Sequence, residues 1–98
     1  MQLLTNAGNG AGQAFELKQG KNREISHLYT IFARGTFDSG TLTIEISADE
    51  PNISPTNWLA IPSIALLAPG VINAEFRANW VRAVVAGGVS PAITVKML

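Results

Sequence analysis

The side chains able to do chemistry in this chain are few and scattered. His27 is the only histidine, and there is no cysteine. A catalytic histidine works with a nucleophile or an orienting partner, and metal-bound histidines come with further ligands. No spacing gives His27 either one. Asp38, Asp49 and Glu50 fall in turn-like segments, with Asn52 and Asn57 close by. Oxygens of this kind suit calcium, but Asp49-Glu50-Pro51-Asn52 lacks the alternating acids of an EF-hand loop. Asp38-Ser39-Gly40 reads as ordinary hairpin-turn chemistry. Gly8-Asn9-Gly10-Ala11-Gly12 resembles a phosphate-cradling loop only superficially, because such a loop needs a helix after it. The next residues, QAFELK, have a strand pattern instead. Arg34, Arg77 and Arg82 lie in or beside strands, where arginine commonly faces solvent. Trp58 and Trp80 suit either sugar stacking or a core, and the core is expected. These residues together predict a protein that is not an enzyme, with no cofactor and no metal.

The elements that carry them alternate with period two. Thr41–Ser47 puts Leu42, Ile44 and Ile46 on one side and polar residues on the other, a half-buried strand. Gln13–Lys18, Ile25–Arg34, Asn57–Ile61, Gly70–Phe76, Trp80–Ala86 and Pro91–Leu98 read as strands too, with a turn at Gln19–Asn22. Gly70–Phe76 and Trp80–Ala86 are so close in sequence that a hairpin around Arg77–Asn79 is expected. Ser63–Ala68 lies between Pro62 and Pro69, so a helix there has room for little more than one turn. About seven or eight strands at such spacing predict an all-β chain, a single antiparallel β-sandwich over residues 1–98, jelly-roll or Ig-like. Residues 1–12 form an arm or an edge strand in this reading. Gly40–Ile46 and Gly70–Phe76 echo each other, with apolar residues at the second, fourth and sixth places after glycine and Glu at the fifth.

Composition bounds the partners. Seven basic and seven acidic residues leave a formal net charge of zero, so the basic excess that nucleic-acid binding needs is missing. No apolar run reaches the roughly 18–20 residues that span a bilayer. MQLLTNAGNG has neither a basic leader nor a long apolar core, which predicts a chain made in a cytoplasm and left unprocessed. Charged residues are 14% and hydrophobic ones 47%. So little charge gives weak protection against self-association.

The surplus of apolar residues has places. Ile25–Arg34 is apolar in both phases, with Ile25, Tyr29, Ile31 and Ala33 in one and Leu28 and Phe32 in the other. Trp80–Ala86 does the same. A strand of a free sandwich keeps one face polar, so such strands either lie centrally under loops or bury their second face against another chain. The connection Ile61–Pro69 adds Ile64, Leu66 and Leu67. An interface through Met1, Leu3, Leu4, Ile64, Leu66, Leu67, Met97 and Leu98 is therefore expected.

From Arg34 to Leu98, roughly two-thirds of the chain, the sequence resembles small all-β virion proteins of tailed bacteriophages. GTFDSGTLTIEISADEPN leads to NWLAI, then to a glycine-led strand, then to NWVRAVVAGGVSPAITVKML; Gly35, Gly40, Trp58, Arg82, Gly87 and Gly88 carry the likeness. The resemblance implies a virion structural protein, made in the host cytoplasm. Within that class it favours a capsid decoration (cement) protein, often trimeric, that bridges subunits of the major capsid protein or other virion proteins. A tail, fibre or head–tail connector component is the near alternative. A carbohydrate- or receptor-binding sandwich using Trp58 or Trp80 is the more distant one.

Overall fold

The computed structural model describes residues 1–17, 27–50 and 52–98, and the expected turn at 19–22 lies outside them. Among the described residues there are nine strands and no helix: β1 (Gln2–Ala7), β2 (Gly10–Ala11), β3 (Phe15–Glu16), β4 (His27–Thr36), β5 (Thr41–Ser47), β6 (Leu59–Leu66), β7 (Gly70–Phe76), β8 (Trp80–Ala86) and β9 (Ala92–Met97). Strands β2 and β3 are two halves of one bulged strand. Gly10 and Ala11 face Val85 and Val84, whereas Phe15 and Glu16 face Val81 and Trp80, a slip of one residue.

Two antiparallel sheets pack face to face. Sheet A has the order β1-β9-β4-β7, and sheet B has β2/β3-β8-β5-β6. Apart from the two halves of the bulged strand, only β5 and β6 are consecutive in one sheet. Every other pair of successive described strands lies in opposite sheets, which is the winding of a jelly roll. The core lies between the sheets: Ile31 and Ala33 of β4, Ala74 and Phe76 of β7 and Ile93, Val95 and Met97 of β9 meet Leu42 and Ile44 of β5 and Val81, Ala83 and Val85 of β8. Period-two alternation along each strand delivers these side chains to one face.

Three expectations about the strands are corrected. No hairpin joins β7 and β8, because they lie in opposite sheets. Asn79 turns the corner between them: its N–H donates to Ser47 O at 3.0 Å, its carbonyl accepts from Leu17 N–H at 2.8 Å, and its Nδ2 donates to Ala48 O and Asp49 O. Those bonds seat the chain on the end of β5, and β8 runs on along β5. The stretch 61–66 is strand, not connection. Pro62 is tolerated because β6 is an edge, where a missing N–H costs no ladder bond. Ile61–Ile64 stand opposite Ile44 alone, between the Thr43–Ala65 and Glu45–Ala60 pairs. Lastly, Asp38 and Ser39, at φ 47° and 70°, make the tight turn expected there, with Gly40 N–H donating to Phe37 O at 2.7 Å. That turn passes the chain from sheet A to sheet B instead of closing a hairpin.

Gly35 shows how close β4 and β9 approach. A Cβ there would lie 2.2 Å from Ala92 O, and its φ is +111°. Only glycine fits such a position.

Candidate functional site

The outward faces of the two sheets differ in kind. On sheet B, Glu45 of β5 and Arg82 of β8 stand opposite each other. Arg82 Nε and Nη2 reach Glu45 Oε1 at 2.7 and 2.6 Å. The guanidinium lies 4.4 Å from the centroid of the Trp58 ring, a cation–π contact. Trp80 Nε1 donates to Glu50 O at 3.2 Å, and Asn52 N–H donates to Glu16 Oε1 at 3.1 Å. The segment between β5 and β6 therefore folds back over this face. Both tryptophans are half-buried beneath or beside it and do not belong to the core that the sequence predicts for them.

Asp49 holds that segment in shape. Its Oδ2 accepts from the N–H groups of Thr56 (2.8 Å) and Asn57 (3.0 Å), and its Oδ1 accepts from Asn57 Nδ2 (3.1 Å). These donors, the Asn57 amide first, keep its carboxyl below the usual aspartate range. Its oxygens are thereby committed within the chain. Among the described residues no three His, Asp or Glu side chains gather where a metal ion could sit. Asp38 is likewise engaged, accepting Ser90 N–H at 2.8 Å. In the glycine-rich stretch, Asn9 exchanges two hydrogen bonds with the backbone of Gly88, so it ties one loop to another. His27, at the start of β4, has its ring 6.3 Å from that of Tyr29, which stacks on Phe76 at 4.7 Å.

Sheet A has no such cover among the described residues. Leu28 (69% exposed) and Phe32 (41%) point outward from β4, Val71 (59%) from β7, and Leu98 (63%) from just beyond β9. The register places them together. Phe32 stands between Val71 and Lys96; Thr30 stands between Asn73 and Leu98; Leu28 stands opposite Glu75. Four large apolar side chains thus surround one polar pair, Thr30 Oγ1 donating to Asn73 Oδ1 at 2.8 Å. Arg34 and Lys96 flank a shallow depression of about 300 Å³ beside Phe32 and Val71. This is an apolar patch with Arg34 and Lys96 at one end and Glu75 at the other.

The expected interface residues divide. Leu3, Leu4, Ile64 and Met97 are corrected to core, at 6% exposure or less. The register slips of β1 turn two adjacent leucines inward together, and the irregular course of β6 points Ile64 in. Leu66 is half-buried against the core. Met1, Leu67 and Leu98 are exposed, and of these Leu98 belongs to the sheet A patch. Val71 is absent from the expectation. Its signal is an apolar residue in the outward phase of GVINAEF, between polar Asn73 and the turn. The likeness between Gly40–Ile46 and Gly70–Phe76 reflects two core-facing strands in opposite sheets.

A second concavity, of about 730 Å³, opens where β6 and β7 border the sandwich, lined by Ile46, Leu59, Ile61 and Phe76 with Asp49 and Asn57 at its rim. Compared with known proteins, the chain matches no family model, no curated protein and no solved structure.

Proposed function

We propose that this protein is a non-enzymatic structural component of a tailed-bacteriophage virion, a decoration protein that stabilises the head by bridging subunits of the major capsid protein. The observation that carries the reading is the outward face of sheet A, where Leu28, Phe32, Val71 and Leu98 lie exposed together. The resemblance of residues 34–98 to small virion proteins supports the same reading. Bound subunits are stabilised by mass action, in proportion to the logarithm of ligand over dissociation constant. An interface of standard size buries roughly 800 Å² per partner, with an apolar centre and a polar rim. The patch supplies the centre, and Arg34 and Lys96 supply part of the rim; the matching capsid surface is apolar, with acidic groups opposite those two residues. Trp58 and Trp80 are engaged within the chain by Arg82 and Glu50, which leaves the sugar-binding reading without a free stacking pair.

Cosedimentation with assembled heads of the encoding phage tests the proposal. Wild-type protein pellets with heads in hundreds of copies, and Phe32→Ser with Leu28→Ser weakens binding by about tenfold or more, equal to about 1.4 kcal/mol. A protein that stays in the supernatant, or is present in only a few dozen copies per particle, would falsify the decoration role.

A further inference from the structure

A sandwich of two open sheets has four edges, and three of these are irregular. β1 slips register twice against β9 and carries Asn6 at φ 44°. The β2/β3 strand is bulged. β6 contains Pro62 and strays from the ladder opposite Ile44. Such devices blunt an edge against pairing with another chain. β7 has none of them. All seven residues keep one register, from Phe76 opposite His27 to Gly70 opposite Ala33, and the strand contains neither proline nor lysine. Among the described residues no strand pairs with its other side.

We infer that β7 is the edge through which two copies of this chain pair, antiparallel about a two-fold axis at Asn73, making one continuous sheet from two copies of sheet A. Residue order points to a second copy as the occupant. Set against itself in reverse about Asn73, the strand GVINAEF puts Phe76 opposite the second copy's Gly70 and Ile72 opposite its Ala74 on the inner face. Each large side chain meets a small one, as close packing requires. On the outer face Glu75 meets Val71, so the two carboxylates never oppose each other. Asn73 meets Asn73. Its Oδ1 accepts Thr30 Oγ1–H, which leaves Nδ2 to donate to the opposing amide.

The same register covers apolar surface. It sets the second copy's Gly70, three residues after Leu67, beside this copy's Phe76, which lines the cleft between β6 and β7. Leu67 is 71% exposed in the single chain, and Leu59, on the cleft wall, is 77% exposed. Asp49, at the rim, has its oxygens committed to Thr56 and Asn57, so the cleft offers hydrophobic contact in the main. Such an interface is isologous and closes at two subunits.

The inference stands apart from the virion reading, and its test needs only the purified full-length chain. Because the chain has no cysteine, one introduced thiol reports alone. Directly opposed Cβ atoms on antiparallel strands lie about 4.5–5.5 Å apart, close enough for a disulfide to form with small adjustment. Under mild oxidation Asn73→Cys goes largely to covalent dimer. Val71→Cys or Glu75→Cys alone does not, since each would need to reach its own copy four residues away, about 13 Å. The double variant Val71→Cys, Glu75→Cys does. As a second measure, Asn73→Lys opposes two like charges and raises the dimer dissociation constant about tenfold or more. Val71→Lys, which faces Glu75, leaves it unchanged or lowers it. A monomer at every concentration, a closed trimer, or cross-linking from position 71 alone as efficient as from 73 overturns the inference. A dimer that ignores phage heads leaves the pairing standing and removes the decoration role.

Discussion

Strands β5 and β7 carry nearly the same residue pattern and meet opposite surroundings. Both send their second, fourth and sixth residues after glycine inward, and both place a glutamate outward at the fifth position. β5 lies between β8 and β6, and its Glu45 is half-buried against Arg82 beneath Trp58. β7 is an edge, and its Glu75 is exposed opposite Leu28. An alternating strand thus specifies which side faces the core, while neighbours distant in sequence decide what the other side does. Sheet B uses its outward side up within the chain. Sheet A leaves Leu28, Phe32, Val71 and Leu98 exposed on its outward side.

Substitutions can break this contrast or sharpen it. The largest effect is expected in the core of β5, where Ile44 is fully buried. Ile44→Ala should cost about 3–4 kcal/mol, and Ile72→Ala on the half-buried edge strand about 1–2 kcal/mol, measured by denaturant unfolding. Equal losses would mean that β7 is as enclosed as β5. Next come the two glutamate sites. Arg82→Ala removes a part-buried ion pair and a cation–π contact and should cost about 1–2 kcal/mol with a change in tryptophan emission. Glu75→Ala should stay within about 0.5 kcal/mol, as exposed positions do.

The smallest effect concerns pH and the cover over sheet B. The carboxyl of Asp49 titrates lower in the fold than in the unfolded chain, so its contribution is present above its unfolded value and vanishes as pH falls through the folded one. Emission from Trp58 should therefore hold constant from neutral into mildly acid solution and shift only below the ordinary carboxylate range. In Asp49→Asn the shift should already be present at neutral pH. A transition in mild acid would show that another group holds the segment.

Much of the fold is readable in the sequence because alternation is local. Leu42 and Ile44, Ala74 and Phe76, and Ile93 and Val95 all point as their spacing says. Met97 stands in phase with Ile93 and Val95, so the same periodicity assigns it inward in spite of its place near the end of the sequence. What alternation cannot carry is sheet membership. The closeness of β7 and β8 suggests a hairpin, whereas Asn79, bonded to residues more than thirty positions away, sends them to different layers. Pro62 hides β6 for a related reason: a proline breaks a central strand but not an edge, and edge position is a property of the whole sheet. The two-faced strands are legible as such. β8 resolves as central and loop-covered, and β4 as central and, among the described residues, bare on one side. Trp58 is misplaced by its sequence context because its partner Arg82 is remote along the chain.

The place of β9 between β1 and β4 has a consequence for how the chain is made. Met1 and Met97 exchange backbone hydrogen bonds at 2.8 and 3.0 Å, and Gly35 abuts Ala92. During translation the other eight described strands emerge first, and among them β1 then has no neighbour in its own layer until Ala92–Met97 is made. One layer of the nascent polypeptide must wait, half-built and sticky, for its keystone; removal of those six residues would strand β1 and leave β4 with β7 alone.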